Sequence, residues 1–203
     1  MTLRVTGAVL TVVFLATSAA ADLLPLAYQV TGVDASDMLN IRSAPSTHAD
    51  IIGSISPFAT AIEVIALSTD GKWGKIGVPE GNGWVAMRFL EKAPSDDVNQ
   101  VPRPMTCMGT EPFWAISLYP RGAEYNSPDT GVIPLSVKSE RSAPQGYLLT
   151  LEEGPTLDRT MIITRETCHD GMSDREYGFT SKIFVDAPDG NQILSGCCTL
   201  DHR

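Results

Sequence analysis

The sequence predicts an all-β protein built as two small domains joined by a proline-rich linker. Three observations carry this. Neither half shows a long helical period; both show short alternating apolar runs. Those runs are cut at regular intervals by Gly, Pro, Asn and Asp, the punctuation of barrels and sandwiches. All four cysteines lie in the second half, so the two halves are held together differently.

The N-terminus comes first. Arg4 precedes an uncharged apolar run, residues 7–16 (GAVLTVVFLA), and small residues 18–21 (SAAA) precede Asp22. This reads as a secretory leader over residues 1–21, with the mature chain exported to a periplasm or secreted. The run is short for a membrane anchor, and no other apolar stretch approaches membrane length, so no stable span is expected after cleavage. The net charge is −9, and loss of Arg4 makes it more negative. That acidity argues against nucleic acid and anionic lipid surfaces as partners.

In the first half, residues 39–42 (LNIR) alternate apolar and polar, as a half-buried strand does. Pro45 fixes the following turn. A further run is 62–66 (IEVIA). Asp70–Gly71 and Asn82–Gly83 read as turns before Trp73 and Trp84. Residues 94–105 are polar and rich in proline, with no strand or helix period, and read as a semi-stiff linker. The domains are then 28–93 and 106–203.

In the second half, 113–118 (FWAISL) places Trp114, Ile116 and Leu118 on one strand face. Residues 161–164 and 182–185 are further strand candidates, and Asp189–Gly190 is a hairpin signal. Adjacent Cys197 and Cys198 are strained as a mutual pair. On a strand they face opposite sides and take different partners. The favoured arrangement is Cys107–Cys198 with Cys168–Cys197, ahead of the swap; a single bridge with two free thiols is the remaining alternative. A bridge from Cys107 closes a loop of about 90 residues, worth up to about 4–5 kcal/mol in the chain-entropy view.

Residues 168–177 (CHDGMSDREY) gather a thiol, an imidazole and carboxylates. Cys168, His169, Cys197, Cys198 and His202 have zinc-ligand chemistry but lack any Cys-x-x-Cys spacing. Asp170 and Asp174 do not fit a calcium loop. His169 follows Cys168 directly, so in a strand it points away from the thiol it would activate. No Gly-x-Ser-x-Gly motif occurs. The expectation is therefore no enzyme, no metal and no cofactor. Instead Asp170 and Gly171 turn the chain, Ser173 and Asp174 accept backbone N–H bonds, Met172 packs beneath, and Glu111 bonds or pairs with Arg175.

Two resemblances add to this. Residues 39–46 (LNIRSAPS), 51–55 (IIGSI), 73–76 (WGKI) and 83–85 (GWV) together resemble the bacterial SH3-like domain. The resemblance implies a small barrel that binds cell-wall peptide or glycan, with Asn40, Arg42, Trp73 and Trp84 as candidate contacts. Against that stands a purely structural role: both tryptophans in the core, Arg42 bracing a loop. One departure is 57–59 (PFA) where the family usually turns on glycine, leaving Phe58 exposed or folded over the barrel. The second half carries 107–114 (CMGTEPFW), 168–173 (CHDGMS) and 196–197 (GC). It resembles a family of exported bacterial proteins and lipoproteins, which implies a small β-sheet or barrel with Glu111, Trp114, Asp170, Met172, Ser173 and Asp174 as signature residues. It implies no activity.

The functional expectation is an exported, non-enzymatic protein whose first domain binds an envelope ligand. The alternative is a module for an envelope protein, or a wall-enzyme inhibitor, acting through the second domain with 168–177 as an exposed loop. A thiol-dependent enzyme is third and requires a free cysteine beside a histidine.

Overall fold

The computed structural model describes residues 23–94, 100–155, 157–186 and 190–202. Residues 1–22, which include the segment read from sequence as a leader, residues 95–99 of the expected linker and Asp189 of the expected Asp189–Gly190 turn lie outside the described residues. Among the described residues no helix is long and apolar enough to cross a membrane.

The first domain is a small two-sheet β-structure. Strands β1 (Leu26–Val30), β4 (Ile62–Val64) and β8 (Leu90–Lys92) form one sheet in the order β4-β1-β8. Strands β2 (Leu39–Arg42), β3 (Ile51–Ile55), β5 (Ala66–Leu67), β6 (Trp73–Val78) and β7 (Gly81–Ala86) form the other, ordered β3-β2-β7-β6-β5. A 3-10 turn, Met87–Phe89, leads from β7 to β8. Alternation works as expected in β2, where Leu39 and Ile41 are buried and Asn40 is exposed. They join Tyr28, Ile55, Ile62, Val64, Ile76, Val85 and Leu90 in one core. Phe58 stands 75% exposed and does not fold over the barrel. Asn82–Gly83 is not a turn: β6 and β7 pair from Val78↔Gly81, so Pro79–Glu80 is the connection and Asn82 sits within β7. Proline's fixed negative φ rules out the positive-φ turns usual in two-residue links, and neither Pro79 nor Glu80 has a positive φ.

The second domain is a closed eight-stranded antiparallel barrel. Its strands are β9 (Met105–Thr110), β10 (Phe113–Tyr119), β11 (Gly122–Ser127), β12 (Gly131–Ala143), β13 (Gly146–Glu153), β14 (Leu157–Thr164), β17 (Phe179–Asp186) and β18 (Gln192–Thr199). Each pairs with its neighbour in sequence, and β18 closes on β9. Inserted between β14 and β17 is a short ribbon, β15 (Cys168–His169) with β16 (Glu176–Tyr177). Inward residues of alternating strands, among them Ile116, Leu118, Leu149, Leu151, Met161, Ile163 and Ile183, pack the barrel interior. Eight strands enclose a space that side chains can fill.

The signature residues now have a packing reason. Trp114 is buried inside the barrel against β9 and β18. A Cβ at Gly109 would collide with its indole nitrogen, and one at Gly196 would strike the Met108 carbonyl and the indole ring. Glycine is required at both places because backbone and indole approach too closely for any side chain. Two disulfides, Cys107–Cys198 and Cys168–Cys197, complete the domain. The first joins directly paired residues of β9 and β18; the second ties β15 to the outer side of β18.

The linker is not uniformly free. Val101 is buried in the barrel core, and its N–H donates to the Glu140 carboxylate. Arg103 pairs with that carboxylate at 2.6 Å. The apolar Val101 and the charge pair dock residues 101–103 on the barrel; proline content alone did not disclose this.

Candidate functional site

The outward face of β6 and β7 is a ladder of three cross-strand pairs: Trp73↔Ala86, Lys75↔Trp84 and Gly77↔Asn82. One end opens into a groove and the other carries the second domain.

The groove has a volume of about 370 Å³. Asn40, Arg42 and Trp73 all line it, together with Asp34, Asp37, Arg88 and Phe89. Asn40 is exposed, and Trp73 is largely buried. Arg42 also braces a loop, donating from Nη1 to the Ala49 carbonyl at 2.7 Å. Arg88 lies 4.5 Å over the Phe89 ring. The Ser36 hydroxyl and N–H both donate to Asp34 and hold its carboxyl below the usual range. The groove thus offers two carboxylates, two guanidinium groups and aromatic edges, which suits a ligand with both charges and some apolar surface. Trp84 is not in the groove lining. It pairs with Arg42 on one side and Lys75 on the other, between the groove and the domain junction.

At the other end sits the CHDGMSDREY segment. Asp170 organises it: Oδ1 accepts the N–H groups of Met172 (2.9 Å) and Ser173 (3.0 Å), and Oδ2 accepts the Tyr177 hydroxyl (3.1 Å). Burial opposes the Asp170 charge, but these donors outweigh it and keep the pKa below the usual range. Ser173 Oγ accepts the Arg175 N–H at 3.3 Å. The folded segment then presents residues 175–177 to the first domain. Glu176 N–H donates to Asn82 Oδ1 (2.8 Å), while Asn82 Nδ2 donates to the Glu176 carbonyl (3.2 Å). The Glu176 carboxylate pairs with Lys75 at 2.7 Å. Arg175 lies so close over Gly77 that any Cβ there would strike its guanidinium.

Three expectations for this segment fail. Asp174, which is exposed, accepts no backbone N–H among the described residues. Met172 does not pack beneath the loop; it is 68% exposed at the tip, because the buried side is occupied by residues 175–177. Arg175 pairs with Asp201 at 3.6 Å and lies 4.7 Å over the Tyr177 ring, not with Glu111. The 107–114 block reaches the segment through Thr110 instead of Glu111, as Thr110 Oγ1 donates to the Asp170 carbonyl at 3.1 Å. Glu111 and Asp174 are both exposed. His169 is exposed as well, and its sequence neighbour Cys168 is held in the disulfide to Cys197. No free cysteine is present among the described residues.

Two further contacts join the domains. Glu63 of β4 is buried and accepts the Thr199 hydroxyl (2.8 Å) and the Leu200 N–H (3.2 Å). Burial pushes its pKa up to about 7; the two donors and Arg175 oppose the rise, and Asp201 adds to it. Arg165 Nη1 donates to the carbonyls of Leu23 (3.2 Å) and Pro25 (2.8 Å), and its other nitrogen bonds the Tyr147 hydroxyl. Sequence reasoning missed these anchors. Glu63 left a trace, a lone acid in an apolar run; Arg165 left none.

Residues 37–91 match the family model of the bacterial SH3 domain. No curated protein and no solved structure matches the chain.

Proposed function

We propose that the bacterial SH3 domain of this chain is its ligand-binding part, in an exported, non-enzymatic protein that recognises peptide or glycan of the cell envelope. The observation that supports this best is the convergence of Asn40, Arg42 and Trp73 on one open groove. Its paired charges fit the amino and carboxylate groups of a short peptide, and its aromatic edges fit a sugar face or an alanyl methyl. The second domain holds the groove-bearing sheet at the other end of the same face through Lys75 and Asn82. Two disulfides agree with an oxidising compartment.

The test is retention of the oxidised protein on purified peptidoglycan at low salt, beside Asn40→Glu and Arg88→Glu variants. The reading expects retention of the native protein and at least a tenfold loss in the variants. Equal retention of all three, or none by the native protein, ends it.

One observation favours a protein partner as a second reading. Leu148, Ile162, Phe184 and Ile193 are exposed on the outer wall of β13, β14, β17 and β18, with Leu148↔Ile162 and Phe184↔Ile193 directly paired. Such an apolar stripe is a contact surface in the manner of interaction modules.

A further inference from the structure

The two disulfides sit in different places and are not equivalent. Cys107 and Cys198 are directly paired residues of β9 and β18, buried in the barrel core. Their bond reinforces a seam that the strand ladder already closes. Cys168–Cys197 lies off that ladder. Cys168 belongs to the β15–β16 ribbon, which forms a two-stranded sheet of its own and is not a barrel strand. Among the described cysteines only Cys168 is part-exposed; Cys197 is 1% exposed and the other two 0%. Access to a sulfur is one of the factors that set how fast a disulfide exchanges with a thiol.

The ribbon is also the piece of the second domain that grips the first. Glu176 exchanges two hydrogen bonds with Asn82 and pairs with Lys75 at 2.7 Å, and Arg175 lies against Gly77. On the barrel side the ribbon is held by Thr110 Oγ1 on the Asp170 carbonyl at 3.1 Å, by the long Arg175–Asp201 pair at 3.6 Å, and by burial of Tyr177. The bond from Cys168 to Cys197 is its covalent tie to β18. One exposed cysteine thus fastens the clamp to the barrel, and the clamp fastens the barrel to the first domain.

We propose that Cys168–Cys197 is a reducible latch between the domains, with Cys107–Cys198 as the permanent staple. A dithiol reductant opens the latch. Its thiolate attacks the Cys168 sulfur, the S–S bond breaks, and the Cys197 sulfur leaves and takes up a proton. The second thiol then attacks the mixed disulfide, which frees Cys168 as a thiol and leaves the reductant as a disulfide. Two electrons and two protons pass from the dithiol to the protein. The ribbon loses its tie to β18 and its hold on β6 and β7 loosens, while β17, β18 and β9 keep their ladder and their staple. Lys75, Gly77 and Asn82 are then uncovered on the outward face of the first domain. Reoxidation closes the latch again. The latch acts at the junction and does not depend on what the groove binds.

The experiment is timed reduction of the intact, folded protein by dithiothreitol near neutral pH. Acid quenching, thiol alkylation and mass spectrometry identify which bond has opened. Amide hydrogen exchange is followed on the oxidised protein, the partly reduced protein and a Cys168→Ser/Cys197→Ser variant. The expected result is loss of Cys168–Cys197 at least tenfold faster than Cys107–Cys198. Exchange should then rise at least tenfold in residues 168–177 and in 75–82, stay unchanged in β12 and β13, and return to its starting values on reoxidation. The serine variant should show the reduced pattern without reductant. Circular dichroism establishes that it is folded, and the reduced native protein carries the measurement independently. Resistance of both bonds, equal rates for the two, an unchanged ribbon after reduction, or loss of protection throughout the barrel each overturns the proposal.

Discussion

Replacing Glu63 by glutamine should stabilise the protein at alkaline pH and do nothing at acidic pH. Glu63 is 2% exposed, and its pKa is raised to about 7 from an ordinary 4.5. A raised carboxyl pKa means that the folded state holds the proton more tightly than the unfolded chain. Its effect on stability is therefore absent below about pH 4.5 and grows as pH rises, reaching its full cost above about pH 7. At 1.36 kcal/mol per pKa unit, the cost is roughly 3 kcal/mol. Glutamine mimics the protonated acid: Oε1 can accept the Leu200 N–H, and Nε2 can donate to the Thr199 hydroxyl oxygen. The assay is thermal unfolding of native and Glu63→Gln proteins from pH 5 to 8.5 with disulfides intact. The midpoints should nearly coincide at pH 5 and separate by about 6–12 °C at pH 8, Glu63→Gln being higher, since about 1 kcal/mol shifts a domain pair of this size by about 2–4 °C. Taking the difference between the proteins removes the titration of other groups, apart from coupling to Asp201. A gap that does not change with pH, or a variant less stable at pH 8, would refute the reasoning; it would mean that Glu63 is ionised at the junction and stabilises it as an acceptor.

Asn82→Ala should cost about 2 kcal/mol, because it strips two bonds from Glu176 and leaves a half-buried N–H unpaired; faster proteolytic cutting between the domains would report it. Gly196→Ala should destabilise the barrel by about 1–3 kcal/mol or more, since the new methyl meets the Met108 carbonyl and the Trp114 ring; urea unfolding measures this, and an unchanged midpoint would contradict the packing described. Replacing Cys107 and Cys198 together by alanine removes a bridge spanning 91 residues and should cost about 4–5 kcal/mol, visible as a lower urea midpoint.

The strand pattern was legible because alternation is a local property. In 113–118 the residues placed on one face, Trp114, Ile116 and Leu118, are the ones inside the barrel. The glycines at 109 and 196 were visible only as signature letters, because their cause, the Trp114 indole, arrives from another strand. Glu63 shows where alternation breaks down. By period it belongs on the solvent side of β4, but that side is covered by the end of β18, and all three residues of the strand are buried. Asn82 has the turn chemistry that sequence reading assigns to Asn-Gly, yet Pro79–Glu80 makes the turn and frees Asn82 to bond another domain. The groove was half legible: short-range order put Asn40 and Arg42 on one face, while Trp73 and Trp84 were separated only by cross-strand register.

By itself, then, the sequence determined what depends on near neighbours along the chain: an all-β fold, a bacterial SH3-type first half, and cysteines placed so that two adjacent sulfurs must seek different partners. Tertiary structure decided what depends on residues far apart. It made 168–177 a clamp on the first domain and buried Glu63 at the junction. The reason is physical. Alternation and turn chemistry act over a few residues, whereas desolvation of a carboxylate and the shape of a cleft are set by whichever distant surface arrives to exclude water.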